Sequence, residues 1–513
     1  MRPIQFLLSC VVLFVILAGS YAVFVDRMVI PQEALPYPYK QFLLEATSSI
    51  SGKVIIDSGS NGLHSFDTKI LSEYFQAPVI TLSDVAENPL RYKIYNLRKY
   101  LKPGDTLILP LEWQHYRRNS ETSQRFVENV VLNEHAYDYY INNLPLLERF
   151  EFILQKLPLY IVINSFIRQQ NGTLFENGLE RLGRFENVLR SGDNTSFGGE
   201  IRDGPEEILP LFLNFSCDDL LFRIGGGSDI GEIHKVFLSN LVLLETLAKQ
   251  GISIYFTWPT VVDSKRSVCY ESPKVREGLR RLSASIVESV ESHGFQFIGI
   301  PEDSHFDSSC FLDNYYHIRY SCAIARTHSF VESLRNHRVE PLNTQINENQ
   351  VVEVIDAYIE IKRQQILEEK AKELPALNEA VVTPLDQKRK LLFHSGWSTV
   401  EDKGTWSIGT ESVFQMRIES SFLKQEYVYL GIDGDYFNGA ENTEVEINGT
   451  SYDSRTLNDQ FFRISSQNII DQMVLVRLQH SDVRSPKMLG RSEDTRMIKF
   501  RLRDVSLSRS NPN

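Results

Sequence analysis

Basic clusters and cysteine-rich motifs are scarce in this sequence of 513 residues. The formal net charge is −12 at pH 7, and no run of lysine and arginine with interleaved aromatic residues occurs, which argues against nucleic-acid binding. The chain has five cysteines, and their spacing fits no zinc motif. The sequence therefore predicts neither a metal site nor a bound cofactor.

One long apolar run stands out, at the N-terminus. Ile4–Val25 is almost uncharged and is flanked by Arg2 and by Asp26–Arg27. As a helix rising about 1.5 Å per residue, this run spans a hydrocarbon core of roughly 30 Å. We expect residues 1–30 to form an uncleaved single-pass anchor; a cleaved signal peptide is the alternative, because Ala18–Ser20 imitates a cleavage site. Arg2 favours a cytoplasmic N-terminus, with the rest of the chain exported to the far side of the membrane.

Residues 31–345 alternate between short apolar segments and helical patterns. The predicted strands are 53–57, 78–82, 106–111, 252–258 and 295–300. The predicted helices between and after them include 66–75, 90–101, 230–249, 274–293 and 320–336. This alternation predicts an α/β domain with a central parallel sheet and crossover helices. Residues 117–229 interrupt the pattern and are interpreted as an insertion.

The C-terminal third shows a different pattern of apolar and polar residues. Residues 346–385 predict a charged helical linker, and one apolar stripe is expected along it, formed by Val351, Val354, Ile355, Tyr358, Ile361 and Ile366. Residues 386–513 show short alternating runs and the hairpin signal Asn448–Gly449. We interpret them as an accessory β-sandwich of jelly-roll type. Trp397 and Trp406 either close its core or stack on sugar rings.

A serine-rich turn, Asp57–Asn61, follows the first predicted strand. A serine between a strand and a helix is well placed to be a nucleophile, because backbone N–H groups nearby can stabilise an oxyanion. Ser60 is the preferred nucleophile and Ser58 its rival. Taken alone, the pattern is more typical of an ordinary polar turn.

A second block, after the last predicted strand, strengthens the catalytic interpretation. Asp313 and His317 precede a predicted helix, at the sheet edge where the serine turn also lies. A histidine there can take the serine proton while the aspartate orients the imidazole. Cys269 and Cys310 lie in loops predicted at the same edge, and we expect a disulfide between them that braces the catalytic loop.

These blocks resemble the SGNH, or GDSL-like, hydrolase superfamily, and more narrowly its membrane-anchored branch in bacterial polysaccharide O-acetylation. The resemblance rests on Val54–Asn61, Pro78–Asp84 and Phe311–His317. It implies an SGNH-like three-layer fold, with Ser60 as nucleophile, His317 as general base and Asp313 as its orienting acid.

The chain departs from the family where the oxyanion-stabilising residues belong. The family usually has a glycine after its second strand and an asparagine after its third. Here those stretches contain Ser83 and Glu112. The candidates for the oxyanion site or pocket are therefore Asn61, Ser83 and Glu112.

The function that follows is an exported, membrane-anchored serine acyl-transfer enzyme. Its substrate would be a carbohydrate polymer of the exopolysaccharide or cell-envelope type, and its reaction that of an O-acetyltransferase or O-acetylesterase. In related systems a multi-spanning acyltransferase supplies the acyl group, so the resemblance implies such a partner. The alternative is a non-catalytic scaffold or glycan-binding protein of an envelope polysaccharide assembly.

Overall fold

The fold is available for most of the chain as a computed structural model. The described residues are 20, 38–120, 122–123, 126–127, 140–157, 160, 182–183, 185–187, 189, 194–195, 199–200, 233–262, 273–312, 316–344, 346–378, 381–398, 401, 403–437, 443–452, 457, 461–489, 492 and 494–510. The predicted anchor lies outside this part except for Ser20. Within the described ranges, no helix combines the length and apolarity needed to span a membrane.

Two compact units make up the chain, Met1–Glu360 and Ile361–Asn513. The division falls within a helix, Glu348–Glu373, inside the region predicted as a linker.

The first unit alternates strands and helices. Its strands are β1 (Val54–Ile56), β2 (Val79–Thr81), β3 (Thr106–Leu109), β4 (Asn194–Thr195), β5 (Gly199–Glu200), β6 (Ser253–Thr257), β7 (Val261–Val262), β8 (Gln296–Ile298) and β9 (His305–Phe306). Its helices are α1 (Pro38–Ala46), α2 (Ser60–His64), α3 (Thr68–Phe75), α4 (Leu90–Arg98), α5 (Trp113–Arg117), α6 (Leu146–Glu151), α7 (Lys235–Ala248), α8 (Pro273–Ser292) and α9 (Tyr320–Asn336), followed by α10 (Glu348–Glu373) across the boundary.

A five-stranded parallel sheet with the order β2-β1-β3-β6-β8 forms the centre of the first unit. This confirms the predicted α/β class and parallel sheet. Val54, Ile55 and Ile56 are fully buried, as expected of a strand covered on both faces. The chain leaves β1 for β2 on one side and then crosses to β3 on the other. Ligands of open α/β sheets bind outside the carboxyl ends of the strands at such a switch point.

The opposite, amino edge of the sheet contains a buried ion pair. Lys53 Nζ lies 2.6 Å from Asp105 Oδ2, and both side chains are fully buried. Asp105 Oδ1 also accepts hydrogen bonds from the N–H groups of Gly52 and Lys53. Burial lowers the pKa of Lys53, and Asp105 opposes that shift. The pair fixes the start of β1 against the start of β3.

The helix α10 presents a different stripe from the one expected. Val351, Ile355 and Ile359 are buried, whereas Ile361 is 58% exposed. Residues spaced by four share a helix face, and Ile361 is two positions from Ile359, which turns it to the other side. The expectation for Ile361 was therefore wrong.

The second unit is antiparallel. Its strands are β10 (Val381–Val382), β11 (Leu391–Ser395), β12 (Thr405–Ile408), β13 (Glu411–Arg417), β14 (Tyr427–Tyr436), β15 (Thr443–Ile447), β16 (Thr450–Tyr452), β17 (Phe461–Ser465), β18 (Met473–His480) and β19 (Ile498–Ser508), and its short helix is α11 (Pro384–Lys390). One sheet has the order β10-β19-β14-β17 with β12 beside β19, and the other β11-β13-β18-β15-β16.

Both sheets of the second unit contribute to one hydrophobic core, which includes Phe414 from one sheet and Phe500 from the other. Trp397 packs against this core, and its Nε1 donates to Val413 O at 2.9 Å. Trp406 is partly buried and has the Arg501 guanidinium over its ring, 5.1 Å from the centroid. These contacts favour a core role for Trp397, whereas Trp406 packs against Arg501 and Phe437.

The buried ion pair yields a stability prediction. We expect Lys53→Met to lower the free energy of unfolding by about 3–5 kcal/mol, because Asp105 would be left as a buried charge without its partner. Denaturant unfolding measures the change. Lys249→Met is the control, since Lys249 pairs with Glu245 at the surface and exposed pairs contribute little. Equal losses for the two variants would contradict the prediction.

Candidate active site

The serine turn lies at the carboxyl end of β1, beside the switch point between β1 and β3. Helix α2 begins at Ser60, which is partly exposed. No hydrogen bond of Ser60, from its hydroxyl or its N–H, is found in the described part of the chain. Ser60 is thus the serine of this turn whose hydroxyl remains accessible.

Ser58, the rival nucleophile, is fully buried. Its Oγ accepts from Gly62 N at 2.9 Å, and its N–H donates to Ser83 Oγ at 3.0 Å. A Cβ on Gly62 would lie 2.4 Å from Ser58 Oγ, so the glycine allows this close approach. Ser58 and Ser83 therefore tie the end of β1 to α2 and to the loop after β2, and this geometry favours Ser60 as the nucleophile.

Asn61, a pocket candidate, is buried, and its side chain makes hydrogen bonds to several elements of the fold. Its Nδ2 donates to Pro110 O at 2.8 Å. Its Oδ1 accepts from the N–H and the hydroxyl of Thr260, at 3.0 and 2.9 Å, and from Arg326 Nη1 at 3.2 Å. One side chain thus joins α2 to the loops after β3 and β6 and to α9.

The third pocket candidate, Glu112, is fully buried. Burial raises the pKa of Glu112, but His115 and the Asn61 N–H outweigh it, so the net shift is downward and favours the ionised carboxylate. His115 Nε2 lies 3.2 Å from Glu112 Oε2. Burial lowers the pKa of Arg326 to about 9, and Glu112 opposes that shift. The floor of the site therefore carries two buried charges of opposite sign.

A second buried charge network lies behind the serine turn. Lys93 Nζ lies 2.9 Å from Asp57 Oδ1 and also pairs with Asp84. Burial raises the pKa of Asp57 to about 6, against the opposing effect of Lys93. The network connects the ends of β1 and β2 to α4, and so stiffens the frame from which the serine turn emerges.

The structure brings His317 to the serine helix. The His317 ring packs on the His64 ring at a centroid distance of 4.4 Å. His64 follows Ser60 by four residues in α2, so both face the same side of that helix. The hydroxyl of Thr260 also lies 3.3 Å from Tyr316 O. His317 therefore packs on the helix that begins at Ser60, and the predicted pairing of the two side chains stays a prediction. Asp313 lies outside the described residues.

Helix α9, which follows His317, is anchored to the segment that links α2 to α3. The Tyr320 hydroxyl donates to Asp67 Oδ2, and the Asp67 N–H donates to Thr327 Oγ1 at 2.9 Å. Together with Arg326, these contacts fix the first turns of α9 against the segment that links α2 to α3.

The predicted Cys269–Cys310 disulfide is wrong. Cys310 is bonded to Cys322, in the first turn of α9, with a Cα–Cα distance of 5.8 Å. A cysteine forms one disulfide only, so Cys310 is not available to Cys269, which lies outside the described residues. The observed bond closes the loop that carries His317. Within the same loop, the Leu312 N–H donates a hydrogen bond to His317 O at 2.9 Å.

Sequence reasoning did not single out His64 and Thr260. The spacing of four between Ser60 and His64 was a usable signal, because it places both on one helix face. No local pattern identifies Thr260, since its role depends on the long-range meeting of two loops. In the part of the chain that the structure covers, no group of His, Cys, Asp and Glu could hold a metal ion.

No known protein family matches the chain, and no curated protein matches it in sequence.

The disulfide yields a direct chemical prediction. We expect non-reducing peptide mapping to recover Cys310 linked to Cys322. Cys310→Ser combined with Cys322→Ser should lower the free energy of unfolding by about 2–4 kcal/mol, since the cross-link restricts the unfolded chain. Cys269→Ser, the control, should keep both the linkage and the stability. A recovered Cys269–Cys310 peptide would contradict the structure.

Proposed function

We propose that this protein is an exported, membrane-anchored serine acyl-transfer enzyme of the SGNH-like type. Its substrate would be an envelope or exported carbohydrate polymer, and its reaction O-acetyl transfer or O-acetyl ester hydrolysis. The observation that carries the proposal is the packing of the His317 ring on His64, which lies four residues after Ser60 in α2. A partly exposed serine at the carboxyl edge of β1 thus begins a helix that contacts a histidine from a distant loop, at the switch point of a parallel sheet.

The architecture of the first unit supports the finer fold assignment. α3 packs on α9, and α4 packs on α7. Right-handed crossovers place the helices after β1 and after β2 on opposite faces of the sheet. Such a three-layer arrangement is what the SGNH-like resemblance implies. For the second unit we propose jelly-roll connectivity, on the ground that two antiparallel sheets share one core.

The reaction would proceed through an acyl-serine. His317 takes the proton of Ser60 Oγ as this oxygen attacks the acyl carbonyl carbon, and the bond to the donor's leaving oxygen then breaks. The leaving oxygen receives the proton from His317. A sugar hydroxyl or water repeats these steps on the acyl-serine. Asp313 would orient the imidazole, and the Ser60 N–H would donate to the oxyanion.

The proposed location and partners follow from separate features. The Cys310–Cys322 bond supports an oxidising compartment, and the apolar N-terminal run supports a single inner-membrane anchor. A multi-spanning acyltransferase would supply the acyl group, and the polymer would accept it. The acidic net charge gives no support to a nucleic-acid partner.

A second candidate function is a non-catalytic scaffold or glycan-binding protein. Glu112 favours it, because an ionised carboxylate cannot donate a hydrogen bond to an oxyanion from the place where the resemblance implies an asparagine. Asn61 and Ser83 are also fully buried and hydrogen-bonded within the protein.

Two serine variants separate the candidates. We expect Ser60→Ala to abolish acetyl-ester hydrolysis and polymer acetylation while the protein stays folded, because its hydroxyl makes no hydrogen bond with the described residues. Ser58→Ala should retain the chemistry and lose stability, because Ser58 is buried and hydrogen-bonded. Ester turnover and polymer acetyl content measure the first effect, and thermal unfolding the second. If wild type and Ser60→Ala show equal rates and acetyl content, the scaffold candidate replaces the enzyme.

A further inference from the structure

Glu112 accepts hydrogen bonds from the N–H groups of the two residues that flank Ser60. Its Oε2 accepts from Gly59 N at 3.0 Å, and its Oε1 accepts from Asn61 N at 3.0 Å. The carboxylate comes from the loop after β3, so the residue before and the residue after Ser60 are tied to a neighbouring strand. Two hydrogen bonds accepted by one planar carboxylate fix both the position and the orientation of the turn.

The serine turn is shaped to receive this carboxylate. A Cβ on Gly59 would lie 2.3 Å from Glu112 Oε1 and 2.5 Å from Ala86 Cα. Any side chain at position 59 would therefore push the carboxylate away or displace the backbone after β2. The glycine of the Ser-Gly-Ser motif is required here by close approach, since its φ of −79° is open to other residues.

The charge of Glu112 suits the same role. An ionised carboxylate is acceptor-only, and each of its oxygens can take one N–H group. The hydrogen bonds to charged acceptors are stronger than neutral ones. Arg326 is buried on α9 and donates to the Asn61 side chain, and its positive charge interacts favourably with the carboxylate of Glu112. A neutral glutamine would present an N–H₂ group to one of the two peptide N–H groups and lose that bond.

We propose that Glu112 is a positioning residue for Ser60. Its carboxylate occupies the N–H groups of Gly59 and Asn61, leaves the Ser60 N–H between them available, and fixes the direction in which the Ser60 side chain leaves the turn. The role in catalysis rests on the proposed function, whereas the clamp on the turn does not. The position after β3 thus acts through the nucleophile's backbone, without touching the substrate.

The test compares Glu112→Gln with Asp105→Asn in the full-length protein. Asp105 is a matched control, because it is also fully buried and also accepts peptide N–H groups, from Gly52, Lys53 and Lys102. It lies before β3, at the far edge of the sheet. Both variants should lower stability, but only Glu112→Gln should disturb the serine turn.

We expect Glu112→Gln to lower kcat for an acetyl ester by about 10²-fold, since a misplaced reacting group loses that much, with KM little changed. Hydrogen-exchange mass spectrometry of the peptide spanning residues 57–64 should show faster exchange. Asp105→Asn should leave kcat per folded molecule and this exchange unchanged. If Glu112→Gln does not fold, Glu112→Asp, which keeps the charge on a shorter side chain, serves in its place.

The outcomes distinguish two failures. If the Glu112 variant keeps wild-type kcat and wild-type exchange over residues 57–64, the clamp is overturned. Faster exchange with an unchanged kcat overturns the positioning role. If the wild type has no acyl-transfer activity but the variant's exchange is faster at this peptide alone, the proposed enzyme is overturned and the clamp is supported.

Discussion

The candidate site depends on the hydrogen bonds made by the side chain of Asn61. This side chain is fully buried, and its amide connects α2 to the loops after β3 and β6 and to α9. An unsatisfied buried polar group costs about 1–3 kcal/mol, so these four segments must meet in one arrangement to satisfy it. That arrangement places the serine turn beside the loop carrying His317.

The same constraint explains why charges are buried under the turn. Arg326 donates to Asn61 Oδ1 and to Trp258 O, and it stacks on Phe66 at 4.3 Å from the ring centroid. Burying a guanidinium is costly unless its donors are satisfied and an opposite charge lies near. Glu112 provides that charge. Removing Glu112 would therefore take away a charge that compensates the buried Arg326.

The regular elements of the first unit were predictable from the sequence, because their apolar patterns are local. The helix expected at 320–336 is observed at Tyr320–Asn336, and all five expected strands lie in the parallel sheet. The cysteine pairing was not predictable, because it depends on how the first turn of α9 meets the 3₁₀ turn that ends at Cys310. The predicted apolar stripe on α10 was wrong at Ile361 for a simpler reason. The assumed spacing places this residue off the buried face of the helix.

The site itself was predictable only in outline. Ser60 and His317 belong to recognisable blocks, and His317 packs on the helix that begins at Ser60. The roles of Asn61, Ser83 and Glu112 were not readable, because each depends on hydrogen bonds to residues distant in sequence. The resemblance suggested oxyanion donors at these positions, whereas the structure shows buried side chains that hold the turn.

A crystal structure of the protein after reaction with a fluorophosphonate, which traps an activated serine, shows whether Ser60 is the nucleophile and His317 its base. We expect a phosphonyl group on Ser60 Oγ, with a ring nitrogen of His317 within about 3.2 Å of that oxygen and Glu112 still bonded to the N–H groups of Gly59 and Asn61. A phosphonyl group on another residue, or a His317 ring turned away from Ser60, would contradict this assignment.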